Sequence, residues 1–308
     1  MAVIHFAPLQ GYTDSVYREA HTRVFGGVDT YYTPFVRIEK GGFRNKDLKD
    51  IACDRNRHVV PQLIASTPDE FRWIVRLFQE NGYREADINL GCPFPMQVRA
   101  HRGSGLLRYK EEAEYLLRTI EEFPDISFSV KMRLGWECAD ESFVLLSLLN
   151  KLPLKHITLH PRLGIQQYKG AIDWDGFSRF YEECKLPLYY NGDLVGLEDI
   201  RGIKERFPGL AGLMLGRGLL ASPWLATEFV SGQVLTVNER RDKLVMFHES
   251  LMDEYAARLE GGEHQVLSKM KTIWDYLLPE ADKRLRKKVL KSTSLTSYQS
   301  AVKDLLSL

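Results

Sequence analysis

Short apolar or β-branched runs alternate with helix-period stretches about eight times over roughly the first 230 residues of this 308-residue chain. That alternation limits the fold more than any other feature. The candidate strands are Val3–Ala7, Thr30–Val36, Val59–Ile64, Ala86–Leu90, Ser127–Met132, His156–His160, Pro187–Tyr190 and Gly212–Leu215. Helical stretches lie between them over Pro68–Asn81, Lys110–Glu122, Glu141–Lys151, Trp174–Cys184 and Leu197–Phe207. In the first of these, Phe71, Ile74, Val75 and Phe78 form one stripe, and Asp69 and Glu70 complement the helix dipole. A strand that returns in parallel needs such a crossover, so the pattern predicts a parallel sheet covered by helices.

Two closures satisfy this pattern, an open doubly wound sheet and an eight-stranded barrel. The length of the repeat is close to the ~250 residues of a typical (β/α)8 barrel. Several strands also end in polar or special clusters: Ala7-Pro8, Asn89-Leu90-Gly91-Cys92-Pro93, Lys131-Met132-Arg133, His160-Pro161-Arg162, Asn191-Gly192-Asp193 and Gly216-Arg217-Gly218. A barrel gathers them on one face, where its chemistry sits, whereas an open sheet spreads them along a line. The expected fold is therefore α/β, a (β/α)8 TIM barrel. Near Ser231–Asn238 the alternation stops, and only helical stretches follow: Glu239–Arg258, Gln265–Leu277, Ala281–Leu290 and Ser297–Leu306. The expected division is a barrel over residues 1–235 and a C-terminal all-helical domain over 236–308.

Lys plus Arg (42) nearly balances Asp plus Glu (41), which excludes a uniformly basic nucleic-acid coat but not a local patch. The run Lys283-Arg284-Leu285-Arg286-Lys287-Lys288-Val289-Leu290-Lys291 is such a patch, with Leu285, Val289 and Leu290 as its apolar side. A solvated face and a phosphate-backbone surface both fit it. Cys53, Cys92, Cys138 and Cys184 form no CxxC pair, so neither a disulfide scaffold nor a Cys-rich zinc site is expected. No apolar run approaches the ~20 residues that span a bilayer. The opening MAVIHFAPLQG lacks the regions of a secretory signal, so a reducing cytoplasmic setting is expected.

Dinucleotide-binding and phosphate-loop patterns are missing: Gly103-Ser104-Gly105 has no third glycine at the right offset, and no GxxxxGK[ST] occurs. His156 and His160 lie four residues apart on one strand, ~13 Å, too far for two ligands of one metal ion. No metal is expected. Cys92 follows Asp87-Ile88-Asn89-Leu90-Gly91, where Gly91 and Pro93 turn the backbone out of the strand and present the side chain. A free thiol near its usual pKa of ~8.5 is protonated at neutral pH and can give up a proton as readily as attack; a buried small hydrophobe is the plainer reading. The glycines of Asn191-Gly192-Asp193 and Gly216-Arg217-Gly218 allow close approach of backbone N–H groups to a phosphate, with Arg217 adding charge. Lys131, in the otherwise apolar run Phe128–Met132, needs an anionic partner: a bound anion, an electron-rich ring, or a carboxylate such as Asp87 or Asp193.

Taken together, these residues resemble the tRNA-dihydrouridine synthases. Phe6-Ala7-Pro8-Leu9-Gln10-Gly11-Tyr12-Thr13-Asp14 is similar to the family's APM-x-G-x-T-D opening, and Asp87–Pro93 is similar to its cysteine signature almost letter for letter. Val130–Trp136 resembles the lysine strand. Leu159–Arg162 with Gln167-Tyr168-Lys169-Gly170 and Asp173-Trp174 resembles the HGRT-x-Q-x-Y-x-G-x-A-D-W stretch. The matches run in order through essentially the whole chain. Leu9 stands where methionine is usual, Pro161 replaces a small residue and removes a backbone donor, and Phe94-Pro95-Met96-Gln97 replaces a polar, often lysine-bearing stretch.

The resemblance implies FMN at the barrel mouth, re-reduced by NADPH. It implies Ala7, Pro8 and Leu9 beneath the ring, Gln62 at its pyrimidine edge, Lys131 near N1–O2, and His160 beside ring or phosphate. Asn191, Gly192, Asp193, Gly216 and Arg217 would hold the phosphate. Cys92 would be the proton donor and Asn89 would position the substrate uracil. Phe35, Arg37 and Arg133, which resemble the bacterial C-type enzymes acting on the D loop, would line the approach of tRNA. Arg286 and Lys287 of the basic helix would hold its backbone. A monomer is expected. Two other readings remain at this stage, an FMN barrel acting on a free pyrimidine or enoate and a non-catalytic RNA-binding protein on a barrel scaffold.

Overall fold

The computed structural model describes residues 3–52 and 58–307; Cys53 lies outside them. The barrel strands are β1 (Val3–Phe6), β2 (Thr30–Tyr32), β3 (Val59–Val60 and Gln62–Leu63), β4 (Glu85–Leu90), β5 (Ser127–Gly135), β6 (Leu154–Leu163), β7 (Leu188–Asn191) and β8 (Gly212–Leu215). Every pairing among them is parallel, and β1 lies beside β8 in the register Phe6↔Leu215. Proline cannot donate to a ladder, so Pro61 splits β3. The half before it pairs with β2 and the half after it with β4, which joins the two ends of the sheet into a ring.

The two faces of each strand are chemically distinct because side chains alternate along it. Ala86, Ile88 and Leu90 on β4 join the hydrophobic cluster, as do Phe128, Val130, Met132 and Leu134 on β5 and Ile157 and Leu159 on β6. The alternate positions Asp87, Asn89, Ser129, Lys131, Arg133, His156, Thr158 and His160 fill the barrel with polar groups. At the floor, Tyr32 Oη bonds His5 Nδ1 at 3.0 Å and His156 Nε2 at 3.2 Å, while His5 stacks on Tyr189 at 4.3 Å. Burial pushes His5 down to about 2 and His156 down to about 4, so both are neutral structural groups.

Four elements near the mouth left little trace in the periodicity: the helix Ser15–Val24, the hairpin Ile38–Glu39 with Gly42–Phe43, the helix Asn45–Ala52 and the short helix Pro95–Arg99. The first starts on a capping bond from Tyr17 N–H to Asp14 Oδ1 at 3.0 Å. Regular pairing in β2 stops at Tyr32, short of the expected Val36, where Pro34 interrupts the donor row; Val36 keeps a single bridge to Leu63.

The tail consists of the helices Val237–Arg258, Gly262–Ile273, Lys283–Lys291 and Leu295–Leu306. Its first helix packs on Ser15–Val24, with the Phe247 ring 5.2 Å from Tyr17 and 5.4 Å from Phe25. Apolar side chains of barrel and tail form one continuous cluster. The tail also grips the loop after β1. Lys269 Nζ reaches Asp14 Oδ2 at 2.8 Å and Gly11 O at 2.7 Å, Tyr255 Oη donates to Asp14 Oδ1 at 2.8 Å, and Tyr12 Oη donates to Asp275 Oδ2 at 3.0 Å. Among the described residues no helix is long and apolar enough to cross a membrane.

Candidate active site

The chain leaves β4 at Gly91, and the turn that presents Cys92 is held from several directions. Asn89 Oδ1 accepts the backbone N–H of Gly91 at 3.0 Å and of Cys92 at 2.8 Å. Asn89 Nδ2 donates to Gln62 Oε1 at 2.7 Å, and Gln62 Nε2 donates to Asp87 Oδ2 at 2.6 Å. Ser129 Oγ donates to the other Asp87 oxygen at 2.6 Å. Arg133 Nε donates to Gly91 O at 3.0 Å, and Ser104 Oγ donates to Cys92 O at 2.9 Å. A side chain at Gly103 would meet Cys92 O at 2.7 Å on a backbone with φ +61°, so the return of the loop requires glycine there. Burial pushes the Cys92 thiol up, against the lowering pull of the Phe94 amide, Arg133 and Lys131. The group is a protonated thiol at neutral pH.

Two adjoining cavities open at this end of the barrel. The wider, about 580 Å³, is bordered by Cys92, Asn89, Phe35, Arg37, Lys131 and Tyr276. The narrower, about 80 Å³, runs past Ala7, Lys131, His160, Asn191, Gly192, Asp193, Gly216 and Arg217. Pro8, Leu9, Gly91, Lys131 and Tyr168 border both.

The narrow cavity is electropositive. Arg162, 4% exposed, forks onto both oxygens of Asp193, and Arg217 Nη2 reaches Asp193 Oδ1 at 3.0 Å. The Arg162 guanidinium holds the Asp193 carboxyl below its usual range. Of the charged residues that border this cavity, Lys131, Arg133 and Arg217 outnumber Asp193. Burial, then Arg133, bring Lys131 down to about 8, with Asp87 opposing. Among the described residues no hydrogen bond or ion pair engages Lys131 Nζ, so neither carboxylate offered by the sequence pairs with it directly. Burial keeps His160 neutral, reinforced by Arg133 and Lys131. A side chain at Gly192 would lie 3.1 Å from the His160 ring on a backbone with φ +151°, so this wall needs a glycine.

Most of the expected site residues converge here. Ala7, Pro8, Leu9, Lys131, His160, Asn191, Gly192, Asp193, Gly216 and Arg217 border the narrow cavity, and Asn89, Cys92, Phe35 and Arg37 border the wide one. Gln62 is fully buried and reaches the mouth only through Asn89. Arg133 borders the narrow cavity, but its guanidinium holds the Gly91 and Leu163 carbonyls. Asp193 pairs with two arginines, Arg162 and Arg217.

Arg286 and Lys287 lie apart, on the tail. The Arg286 guanidinium is tied to the carbonyls of Trp274 and Leu278, bracing the end of the preceding helix, while Lys287 is exposed. Lys288 pairs with Asp304 at 2.6 Å, and Leu290, expected on the apolar side, is 37% exposed. Tyr168, Arg44, Lys46, Gln97 and Tyr276 also border these cavities, and Arg162 stands behind Asp193, none of them among the expected site residues. Arg162 and Tyr168 stand inside the recognised HPR and QYKG stretches; Tyr276 arrives from the tail and has no local signal.

A profile of the family described as dihydrouridine synthase (Dus) matches residues 5–306. A protein of Pseudomonas syringae pv. tomato described as "tRNA-dihydrouridine(16) synthase" is 29% identical over 240 residues, 75% of each chain. A "Probable tRNA-dihydrouridine synthase" of Rhizobium leguminosarum bv. phaseoli is 26% identical over 268 residues, 81% of this chain and 78% of that one. Among solved structures, morphinone reductase superposes over 76% of this chain and 87% of that chain with a TM-score of 0.53 at 11% identity, a likeness of fold alone.

Proposed function

The chain belongs to the dihydrouridine synthase family, and from that premise we propose that it reduces the C5=C6 bond of a D-loop uridine in tRNA, using FMN re-reduced by NADPH and a proton from Cys92. The observation that carries this reading is a buried thiol, Cys92, bordering the same cavity as Lys131, whose Nζ has no hydrogen bond or ion pair among the described residues; burial holds the thiol protonated. One group can release a proton where negative charge develops, and the other can stabilise that charge.

The residues at the mouth fit FMN. Ala7, Pro8, Leu9 and Met214 provide an apolar bed, Lys131 an ammonium that no hydrogen bond or ion pair engages among the described residues, and Arg162 with Arg217 a positive end. Gly216 leaves room there, since even an added Cβ would lie 3.5 Å from Ala7. Asn191, Gly192 and Gly216 would flank the phosphate beside Arg217, and Lys131 and His160 would border the ring. When bound, FMN supplies the hydride that adds to C6 of uracil.

The chain's own groups do the rest. Cys92 Sγ releases its proton toward C5, and solvent reprotonates the thiolate. Asn89 and Arg133 fix the Gly91–Cys92 turn so that the thiol keeps its direction without cost at the moment of transfer. A uridine stacked in RNA hides C5 and C6, so it must swing out of the loop to enter. Phe35 and Tyr168 supply flat or apolar walls for the extruded base. Arg37, Arg44 and Lys46 at the rim, with exposed Lys283, Arg284, Lys287 and Lys291 on the tail, supply charge for the RNA backbone. On this reading residues 1–235 are the catalytic barrel and 236–308 the tRNA-recognition region.

The test is anaerobic reduction of the purified protein. A yellow preparation that NADPH bleaches, and that unmodified tRNA reoxidises with dihydrouridine appearing at one mapped position, is the expected result. A colourless protein that takes up no FMN contradicts the proposal.

A further inference from the structure

Beside Cys92 the wide cavity contains an amide that none of the steps above uses. Gln97 sits in the helix Pro95–Arg99, within the stretch where this sequence departs from the family it resembles, and is 3% exposed. Its backbone is fixed: the N–H donates to Phe94 O at 2.9 Å, and the carbonyl accepts from Ala100 at 3.0 Å and Arg102 at 2.9 Å. Its side chain is not. Among the described residues no hydrogen bond engages either amide atom, and Oε1 is fully buried without a partner. Gln97 nevertheless borders the cavity shared by Cys92, Asn89 and Lys131.

A buried amide kept only for packing is a poor choice, because its unmet hydrogen bonds cost stability that a leucine of similar size would not. A second group makes the same demand on this cavity: Gln10 Oε1, on the loop after β1, is also buried and unpartnered. Two residues that border this cavity therefore carry acceptors that no donor fills among the described residues, which suits a ligand bearing N–H or O–H groups.

We infer that Gln97 reads the imide edge of the substrate pyrimidine, Nε2 donating to O4 and Oε1 accepting N3–H. This rests on the function proposed above. A primary amide and the O4/N3–H half of the imide edge are complementary, one donor and one acceptor on each, so the two bonds form side by side. Hydride addition at C6 moves negative charge onto C5 and O4. The Nε2–H···O4 bond therefore strengthens as the reaction proceeds, and Gln97 acts on turnover more than on tRNA affinity.

The experiment compares wild type, Gln97→Leu and Gln97→Glu on an unmodified tRNA transcript. It measures the single-turnover rate of dihydrouridine formation, tRNA affinity, the flavin absorption spectrum and the melting temperature. Gln97→Leu is expected to lose about 100-fold in rate, while tRNA affinity stays within about twofold and the flavin spectrum is unchanged. Gln97→Glu is expected to gain rate as pH falls, because only its protonated acid offers both a donor and an acceptor; wild type lacks that rise. A Leu variant at wild-type rate, or one whose rate falls only in step with lost tRNA or flavin binding, overturns the assignment of Gln97. Absence of dihydrouridine with wild type overturns instead the reading of the site on which it rests.

Discussion

Asn89 Oδ1 accepts the Cys92 backbone N–H at 2.8 Å, and this bond joins the turn that presents the thiol to a polar chain descending into the barrel. Through Nδ2 the same side chain holds Gln62, and Gln62 in turn is held by Asp87. The orientation of each amide is thus set from below by a carboxylate, which can only accept. Asn89→Ala strips the Gly91 and Cys92 N–H groups and Gln62 Oε1 of their partner. The expected cost is about 1–3 kcal/mol of stability, read as a lower urea midpoint, with dihydrouridine formation down at least tenfold. Asn89→Asp keeps the acceptor for both N–H groups but sets a carboxylate oxygen against Gln62 Oε1, so it is expected to be impaired as well.

Arg217 tests the positive end of the narrow cavity. It is one-third exposed and shares Asp193 with Arg162, so its loss does not open the core. Arg217→Ala is expected to raise the FMN dissociation constant about tenfold or more, the scale of one charge-assisted hydrogen bond. Flavin fluorescence titration measures it, and an unchanged affinity would remove Arg217 from the phosphate end.

Acid should destabilise the fold before carboxylates titrate. Burial, the leading cause for each, lowers His5 to about 2, His156 to about 4 and His248 to about 4. The unfolded chain takes up these protons near pH ~6.5 while the folded chain refuses them, so their stabilisation is full above that pH and declines as pH falls toward 4. His160, also lowered by burial, adds to the same trend, while Asp87, raised to about 6 by burial, and Asp47, likewise raised by burial, work in the opposite sense over part of the range. Urea midpoints at pH 7 and pH 5 should show a clear fall; a flat profile would show that these imidazoles are not buried neutral.

The tail and barrel should not come apart. Removal of residues 236–308 uncovers Tyr17 and Phe25, which pack on Phe247, and releases the loop held through Asp14 and Gly11. A 1–235 fragment is expected to aggregate or lack a cooperative melt by circular dichroism. The milder Lys269→Ala should fold yet hold FMN less firmly, since the freed loop begins at Pro8 and Leu9.

The parallel barrel was legible because each strand is a local apolar run and each crossover carries its own helical period. Strand ends such as Gly91-Cys92 and Gly192-Asp193 were legible because turn chemistry is local too. What escaped depends on contacts distant in sequence. Tyr276 reaches the cavity only because the tail folds back onto the loop after β1. Arg286 reads as one more cation in a basic run, yet it holds the Trp274 carbonyl at the end of a neighbouring helix and the Leu278 carbonyl in the turn beyond it. Asp193 lies beside glycines that suit a phosphate, but two arginines engage its carboxylate. Proximity in sequence could not reveal which partner each charge would find in space.

The most direct test of the central claim, that the Cys92 thiol delivers the second hydrogen, is Cys92→Ala expressed in cells lacking the wild-type protein. The account predicts a purified protein with an unaltered flavin spectrum and tRNA in which mass analysis finds the target uridine unreduced, a loss of at least about 100-fold for removing a general acid. Dihydrouridine at wild-type levels in that tRNA would contradict it.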